Sequence, residues 1–305
     1  MPHRTAADVA LTAMAPVAWG TTYLVTTELL PPDRPLLAAT ARALPAGLLL
    51  LAVTRQLPRG RWWWRATMLG LLNIGAFFPL LFFAAYRLPG GVAAVLGATQ
   101  PLLVAVLGAA VLAERPRPGR ILAALAAVAG VALVVVRPGA GLDALGVVAG
   151  LAGAAVMATG LVFTRRWGRP DGVSVLTLTG WQLTAGGLLL APLTLAAEGL
   201  PPALDGRAVG GYTWLTLAGT AVAYALWFRG AQRLPAMQVS LLGVLSPLTA
   251  AILGWIALDQ GLTLAQAAGF AVALAATALG QLPARPGRVR AAVREPKRRA
   301  VLVGD

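Results

Sequence analysis

The chain has 305 residues, of which 58% are hydrophobic and only 12% are charged, whereas soluble domains carry about 25% charged residues. It has no cysteine and a single histidine, His3, which excludes disulfide frameworks, Cys-based metal sites and thiolate catalysis. The net charge of +14 lies in short connections and in the C-terminal tail. Because these basic residues do not gather in a folded module, a nucleic-acid partner is not expected.

Ten apolar segments follow one another along the chain, separated by Pro, Gly and Arg residues. Each has close to the 20 or so residues that a helix needs to cross roughly 30 Å of hydrocarbon. The sequence therefore predicts an all-α integral membrane protein with ten transmembrane helices. In chain order the predicted helices are 7–29, 36–54, 64–86, 91–113, 118–136, 143–164, 173–196, 210–230, 235–258 and 263–282.

The basic residues alternate between the connections of these segments. If both termini lie in the cytoplasm, 20 of the 25 Lys and Arg residues fall on the cytoplasmic side, four fall outside, and Arg42 lies within a segment. This bias follows the positive-inside rule. We expect a multi-pass protein of the inner (plasma) membrane, embedded in the lipid bilayer, with both termini cytoplasmic. The basic tail at 284–305 is predicted to be disordered, with contact to anionic lipid as the alternative.

The two halves of the chain repeat one another. Because each half has five segments, an odd number, the second copy enters the membrane in the opposite direction. We predict two inverted five-helix repeats, at 1–140 and 141–283, an arrangement typical of secondary transporters with a site near the membrane midplane. At an offset of 146 residues, Arg87-Leu88-Pro89 falls on Arg233-Leu234-Pro235 and Pro101 on Pro247, and at an offset of 140, Gly47-Leu48-Leu49-Leu50 falls on Gly187-Leu188-Leu189-Leu190.

Both copies contain a Gly-x-x-x-Pro spacing in an apolar segment. Proline removes the hydrogen bond to the carbonyl four residues earlier, which predicts free carbonyls at Gly97 and Gly243. A free carbonyl within the membrane needs a partner. Either the freed carbonyl lines a substrate cavity together with Gln100 and Ser246, or it accepts a hydrogen bond from a hydroxyl of a neighbouring helix at a packing kink.

Polar and aromatic residues within the segments supply further candidates for this cavity. Aromatic residues at helical spacing commonly serve packing alone, but buried polar groups need partners. Hydroxyl, amide and aromatic groups together favour neutral or zwitterionic, partly apolar solutes. The complete set of predicted cavity residues is Trp19, Tyr23, Asn73, Phe78, Gly97, Gln100, Pro101, Thr159, Gln182, Tyr224, Trp227, Gly243, Ser246 and Pro247.

Two charged residues, Arg42 and Glu28, lie near the outer ends of the second and first segments. We interpret both as gating or structural charges, which we favour over direct contact of Arg42 with substrate because its position is shallow. Snorkelling of Arg42 or a pair between the two residues are the further alternatives. No Asp, Glu, His or Lys lies near the predicted midplane. The sequence therefore favours facilitated or exchange transport, or coupling through a peripheral acid such as Glu28.

Five stretches resemble the EamA-type branch of the drug/metabolite transporter superfamily. They are APVAWGTTYLV at 15–25, ATARALPAGLLLL around Arg42, RLPGGVAAVLGATQPLLVAVLGAAVLAERP at 87–116, TGWQLTAGGLLLAPL at 179–193 and RLPAMQVSLLGVLSPLTAAILG at 233–254. The resemblance covers residues 8–282. The chain departs from it at one point: Glu114 occupies the family's acidic position after the fourth helix, but Gln260 stands there in the second copy.

The resemblance implies a membrane transporter of small metabolites, often an exporter of amino acids or similar compounds. We expect a monomer or homodimer that moves a small-molecule substrate by alternating access, without enzymatic activity, cofactor or metal. A channel or a lipid-flipping protein is the alternative. An integral membrane enzyme is less favoured, because the chain lacks an interfacial cluster of His, Asp or Cys.

Overall fold

The computed structural model describes residues 2–88, 90–135, 143–199, 203–257 and 263–282, and the regular structure within these ranges is entirely helical. The predicted disordered tail lies outside the described residues. The helices are α1 (Pro2–Leu29), α2 (Pro35–Thr54), α3 (Trp62–Gly70), α4 (Phe77–Arg87), α5 (Gly90–Ala98), α6 (Gln100–Leu112), α7 (Pro118–Val135), α8 (Ala144–Trp167), α9 (Val175–Glu198), α10 (Gly206–Thr216), α11 (Ala223–Arg233), α12 (Ala236–Leu242), α13 (Leu245–Ala257) and α14 (Leu264–Gln281).

Seven helical stretches in the described part of the chain are long and apolar enough to cross a membrane, which makes this a multi-pass membrane protein. Pro118–Val134 is a shorter apolar helix. α9 is also long, and its Thr177, Thr179 and Gln182 side chains are buried. The seven stretches are Ala6–Leu29, Pro35–Thr54, Trp62–Ala84, Ala94–Leu112, Ala144–Trp167, Ala236–Ile256 and Leu264–Gln281.

Two π-helical segments interrupt otherwise regular helices. The first, Leu71–Gly75, joins α3 to α4, and the second, Leu217–Val222, joins α10 to α11. Their first residues are separated by 146 positions, the same offset that aligns Pro101 with Pro247. A π-turn widens the helix and displaces backbone carbonyls from their usual partners, and such turns are frequent at functional sites. No local pattern in the sequence predicts these segments.

The helices that carry the Gly-x-x-x-Pro spacing are broken just before proline in both halves. α5 ends at Ala98 and α6 begins at Gln100, while α12 ends at Leu242 and α13 begins at Leu245. Both helices are thus interrupted at the Gly-x-x-x-Pro spacing, but the prediction of a free Gly243 carbonyl is wrong. That carbonyl accepts a 3.0 Å hydrogen bond from Ser246 N, because the chain tightens into a three-residue turn at the break.

Small residues let equivalent helices of the two halves pack closely. α2 lies along α9, and α7 lies along α14. A Cβ atom added at Gly187 would come within 2.7 Å of Leu44 Cα, and one at Gly130 within 2.6 Å of Ala273 N. Such close backbone approach is the usual way in which helices associate in a membrane, where burying apolar surface gives no advantage over lipid.

The central helices pack differently at the two ends of the bundle. At one end α6 packs against α12, and α8 packs against α11 and α12. By the repeat offsets, the α6–α12 pair corresponds to α5–α13. The α8–α11 pair corresponds to α1–α4, and the α8–α12 pair to α1–α5. These counterparts make no comparable contact within the described ranges. The packed end is the one that the arginine distribution assigns to the cytoplasm.

Candidate functional site

Arg42 reaches from α2 into the second π-helical segment. Its Nε donates to Thr220 Oγ1 at 2.9 Å, and its Nη2 donates to the Gly219 carbonyl at 2.8 Å. The Phe78 ring centroid lies 5.4 Å from its Cζ, a cation–π contact. Arg42 is only 5% exposed, so it does not snorkel. No ion pair joins it to Glu28 among the described residues, so that alternative is also wrong.

Trp19 shares this π-helical carbonyl and begins an aromatic cluster. Its Nε1 donates to Gly219 O at 3.1 Å. Its ring centroid lies 5.0 Å from those of both Tyr224 and Trp227, and these two side chains are buried. Three of the predicted cavity residues thus meet one another and, through Gly219, the Arg42 guanidinium.

Unpaired hydrogen-bond donors lie beside this cluster at the break between α12 and α13. A Cβ atom added at Gly243 would lie 3.7 Å from Trp227 Cη2 and 3.8 Å from Gln100 Oε1. Trp227 Nε1 and Gln100 Nε2 are both buried without a hydrogen-bond partner, as is Ser240 Oγ. Buried donors normally have partners, and exceptions call for a functional explanation such as a ligand.

The first π-helical segment holds a neutral counterpart of the Arg42 contacts. Asn73 Nδ2 lies 2.9 Å from Gln182 Oε1 and 3.3 Å from Thr164 Oγ1. Thr164 in turn donates to Gly160 O at 2.7 Å. All three side chains are fully or almost fully buried. Asn73 and Gln182, both predicted cavity residues, therefore bind each other between α9 and the first π-helical segment.

The remaining predicted residues have simpler surroundings. Thr159 Oγ1 donates to Ala155 O within its own helix, at 2.7 Å. Pro101 is buried, and Ser246 and Pro247 are partly buried. Gly97 is exposed, and a Cβ atom there would meet nothing within 4 Å. The Tyr23 side chain lies outside the described part of the structure.

Glu28 lies at a cavity of about 430 Å³ between the end of α1 and the start of α10. Asp205 and Arg207 line the same cavity, and Arg207 Nη2 donates to the Glu28 backbone carbonyl at 3.4 Å. Glu28 and Arg42 therefore belong to different surroundings.

Glu114 forms a junction that the sequence analysis missed. Its Oε1 pairs with Arg165 Nε, and its Oε2 accepts a hydrogen bond from Ala236 N at 3.1 Å. Arg165 Nη1 also donates to Leu234 O at 2.6 Å and to Ala231 O at 3.3 Å. We call Glu114 and Arg165 the latch, because they join the ends of α6 and α8 to the α11–α12 corner. The acidic family position was the available signal, but it did not identify the partner.

The fold and this interior define a helical multi-pass membrane protein with a polar and aromatic centre. The model of the EamA-like transporter family matches residues 8–136 and again residues 144–280. The chain therefore belongs to the EamA-like transporter family, and its relatives are membrane transporters. Within the described residues, no group of three or more His, Cys, Asp or Glu side chains could hold a metal ion.

Named relatives agree with this membership, and a solved structure shares the fold. The chain is 47% identical over 255 residues to "Protein PecM" of Dickeya dadantii (strain 3937), covering 84% of this chain and 86% of that protein. It is 30% identical over 281 residues to a chloroplastic WAT1-related protein of Arabidopsis thaliana, covering 87% and 67%. A solved crystal structure shares its fold with a TM-score of 0.77 at 21% identity, covering 90% of this chain and 96% of that chain.

Proposed function

We propose that the protein is a secondary transporter of small organic metabolites, such as amino acids or related neutral and zwitterionic solutes. It crosses the inner membrane ten times as two inverted five-helix repeats, at 1–140 and 141–283, with both termini in the cytoplasm. The solute binds between the halves, and alternating access moves it across the membrane. Export is the direction that the family resemblance favours.

The observation that carries the proposal is the unequal packing of related helix pairs. α6 packs against α12, whereas the related pair α5 and α13 does not pack in the same way. Two inverted copies of one sequence can exchange these arrangements, because each copy can adopt the conformation of the other. The observed state is then closed toward the cytoplasm, and the exchanged state opens there. This unequal packing supports a carrier over a channel, which needs only one open pathway.

The composition of the centre supports the proposed solute class. Trp19, Tyr224 and Trp227 provide apolar ring surfaces, and Trp227 and Gln100 provide unpaired donors. A site of this kind binds a partly apolar molecule through its rings and orients it through a few polar groups. The charge there is a single guanidinium, that of Arg42, which matches a singly charged group better than a multiply charged solute.

Counterflow in proteoliposomes tests the proposal. Vesicles are loaded with one unlabelled amino acid, and the same amino acid is added outside in labelled form at trace concentration, for each member of a panel. A carrier accumulates label transiently above equilibrium, because unlabelled solute leaving the vesicle returns the binding site to the outside. Vesicles without protein are the control. Simple equilibration that trans solute does not accelerate would indicate a channel and refute alternating access.

A further inference from the structure

The repeat relates Arg42 to Gln182 and Asn73 to Gly219. An offset of 140 residues aligns Arg42 in α2 with Gln182 in α9. An offset of 146 residues aligns Asn73 with Gly219, which lie in the two π-helical segments. Each helix residue contacts the aligned π-helical residue of the other half. Gln182 Oε1 lies 2.9 Å from Asn73 Nδ2, and Arg42 Nη2 lies 2.8 Å from Gly219 O. The two contacts are thus equivalent positions of one symmetric arrangement.

The chemistry of these two positions differs in charge and in volume. At the first π-helical segment two neutral amide side chains, one from each half, bind each other. At the second π-helical segment a guanidinium stands in place of the Gln182 amide, and the hydrogen of Gly219 stands in place of the Asn73 side chain. A Cβ atom added at Gly219 would lie 3.5 Å from Arg42 Nη2, an ordinary contact, so the backbone leaves room for a group there.

Among the residues that the structure describes, no carboxylate pairs with the Arg42 charge. Its described partners are a hydroxyl, a carbonyl and an aromatic ring, all of them neutral. Leaving a cation buried without an anion is costly, and ionisable residues within a membrane commonly mark substrate pathways. Guanidinium has five N–H donors. Two of them bind Thr220 and Gly219, which leaves three for another acceptor.

The neighbouring unpaired groups are also donors. Trp227 Nε1 and Gln100 Nε2 are buried without acceptors, and the Trp227 ring packs on Trp19, whose Nε1 binds the same Gly219 carbonyl as Arg42. Unpaired donors in the aromatic cluster, which shares the Gly219 carbonyl with this cation, favour a ligand rich in acceptors. A carboxylate fits best, because it accepts two parallel hydrogen bonds from one guanidinium.

We propose that Arg42 binds the carboxylate of the transported solute at the second π-helical segment, at the place equivalent to that of the Asn73 amide at the first. This assignment rests on the proposed transport function and identifies its substrate class as carboxylate-bearing solutes. Thr220 and Gly219 hold the guanidinium in position when the solute is absent. Phe78 covers one face of the guanidinium, which directs recognition to its edge.

The repeat supplies the control variant for a test. The double variant R42Q/G219N reproduces, at the second π-helical segment, the Gln–Asn pair that Gln182 and Asn73 form at the first. It removes the charge but restores a neutral amide pair, so the fold is expected to survive. The single variant R42Q lacks this compensation. Purified wild type and both variants are compared by thermal unfolding, first without added ligand and then with benzoate or its uncharged analogue benzamide.

We expect benzoate to bind the wild type at least about tenfold more tightly than benzamide, as charge-assisted hydrogen bonds imply. In R42Q/G219N that preference falls to about one while the unfolding temperature without ligand stays close to wild type. Equal binding of benzoate and benzamide by the wild type would overturn the assignment. So would a double variant that keeps the benzoate preference.

Counterflow separates failure of this assignment from failure of the transport proposal. If the wild type exchanges amino acids but does not prefer benzoate, it is a transporter that binds solutes through other residues. If it prefers benzoate but shows no exchange of any amino acid in the panel, carboxylate binding at Arg42 holds and the transport proposal fails. If R42Q alone fails to fold, the double variant and the wild-type comparison still decide the question.

Discussion

Replacing Glu114 by Gln tests whether the latch holds the cytoplasmic end closed. Gln keeps one oxygen that can accept the Ala236 N–H but loses the charge that pairs with Arg165. The two side chains are 26% and 24% exposed, so solvent screens the pair only partly. Hydrogen bonds to charged groups contribute about 1.5–3 kcal/mol each. We therefore expect the closed state to lose about 2 kcal/mol relative to the state that is open to the cytoplasm.

A loss of 2 kcal/mol changes the ratio of the two states by roughly 30-fold, because about 1.4 kcal/mol corresponds to a factor of ten. Gly108 is a suitable position for a label that measures this opening. It lines a small cavity of about 20 Å³ next to Glu114, and a Cβ atom there meets nothing within 4 Å. The chain has no cysteine, so Gly108→Cys introduces a unique thiol beneath the latch.

The assay measures the rate at which a membrane-impermeant thiol reagent labels Gly108→Cys in inside-out vesicles. Combining it with Glu114→Gln should raise that rate on the order of 30-fold, in proportion to the open population. Arg166→Gln is the matched control, because this exposed arginine is adjacent in sequence to Arg165 and stands outside the latch. An unchanged rate in the Glu114 variant, or an equal rise in the Arg166 control, would refute the reasoning.

Two further predictions concern packing and surface charge. Gly160→Ala should destabilise the protein by about 1–3 kcal/mol, because the added methyl overlaps Asn73 Oδ1. Thermal unfolding measures this loss. The control is Gly119→Ala, where the methyl meets nothing within 4 Å and stability should be unchanged. Equal effects of the two changes would contradict the packing argument. Arg87→Gln breaks a 3.6 Å pair with Asp143 in which both side chains are about 40% exposed. This change should lower the free energy of unfolding by at most about 0.5 kcal/mol, because solvent screens both charges. A larger loss would show that this pair closes the bundle.

The helix ends could be predicted because Pro, Gly and Arg mark them. The segment predicted at 118–136 is α7 at 118–135, and that predicted at 36–54 is α2 at 35–54. The π-helical segments could not be predicted, because LLNIG and LAGTAV read like any apolar helical stretch. A π-turn is stabilised by tertiary contacts such as those of Gln182 and Arg42, and these contacts leave no local pattern.

Much of the candidate site could be recognised from residue type alone. Trp19, Tyr224 and Trp227 were identified as buried aromatic residues, and the structure brings them together. Their partners could not be predicted, because which faces of two helices meet depends on packing between segments far apart in sequence. Arg42 and its acceptor Gly219 are an example: they are 177 residues apart. The partner of Glu114 could not be predicted for the same reason.

The residues of the latch differ between the two halves of the sequence, and this has a kinetic consequence. The 140-residue offset places Val25 opposite Arg165, so the outer end has no guanidinium at the related position. Val25 instead packs against an apolar cluster that includes Leu30 and Leu215. In the proposed transport cycle, two empty orientations that differ in this way are unequal in free energy, and we expect the return of the empty carrier to be slow. Exchange of solute for solute, which avoids that step, should run faster than net movement in either direction.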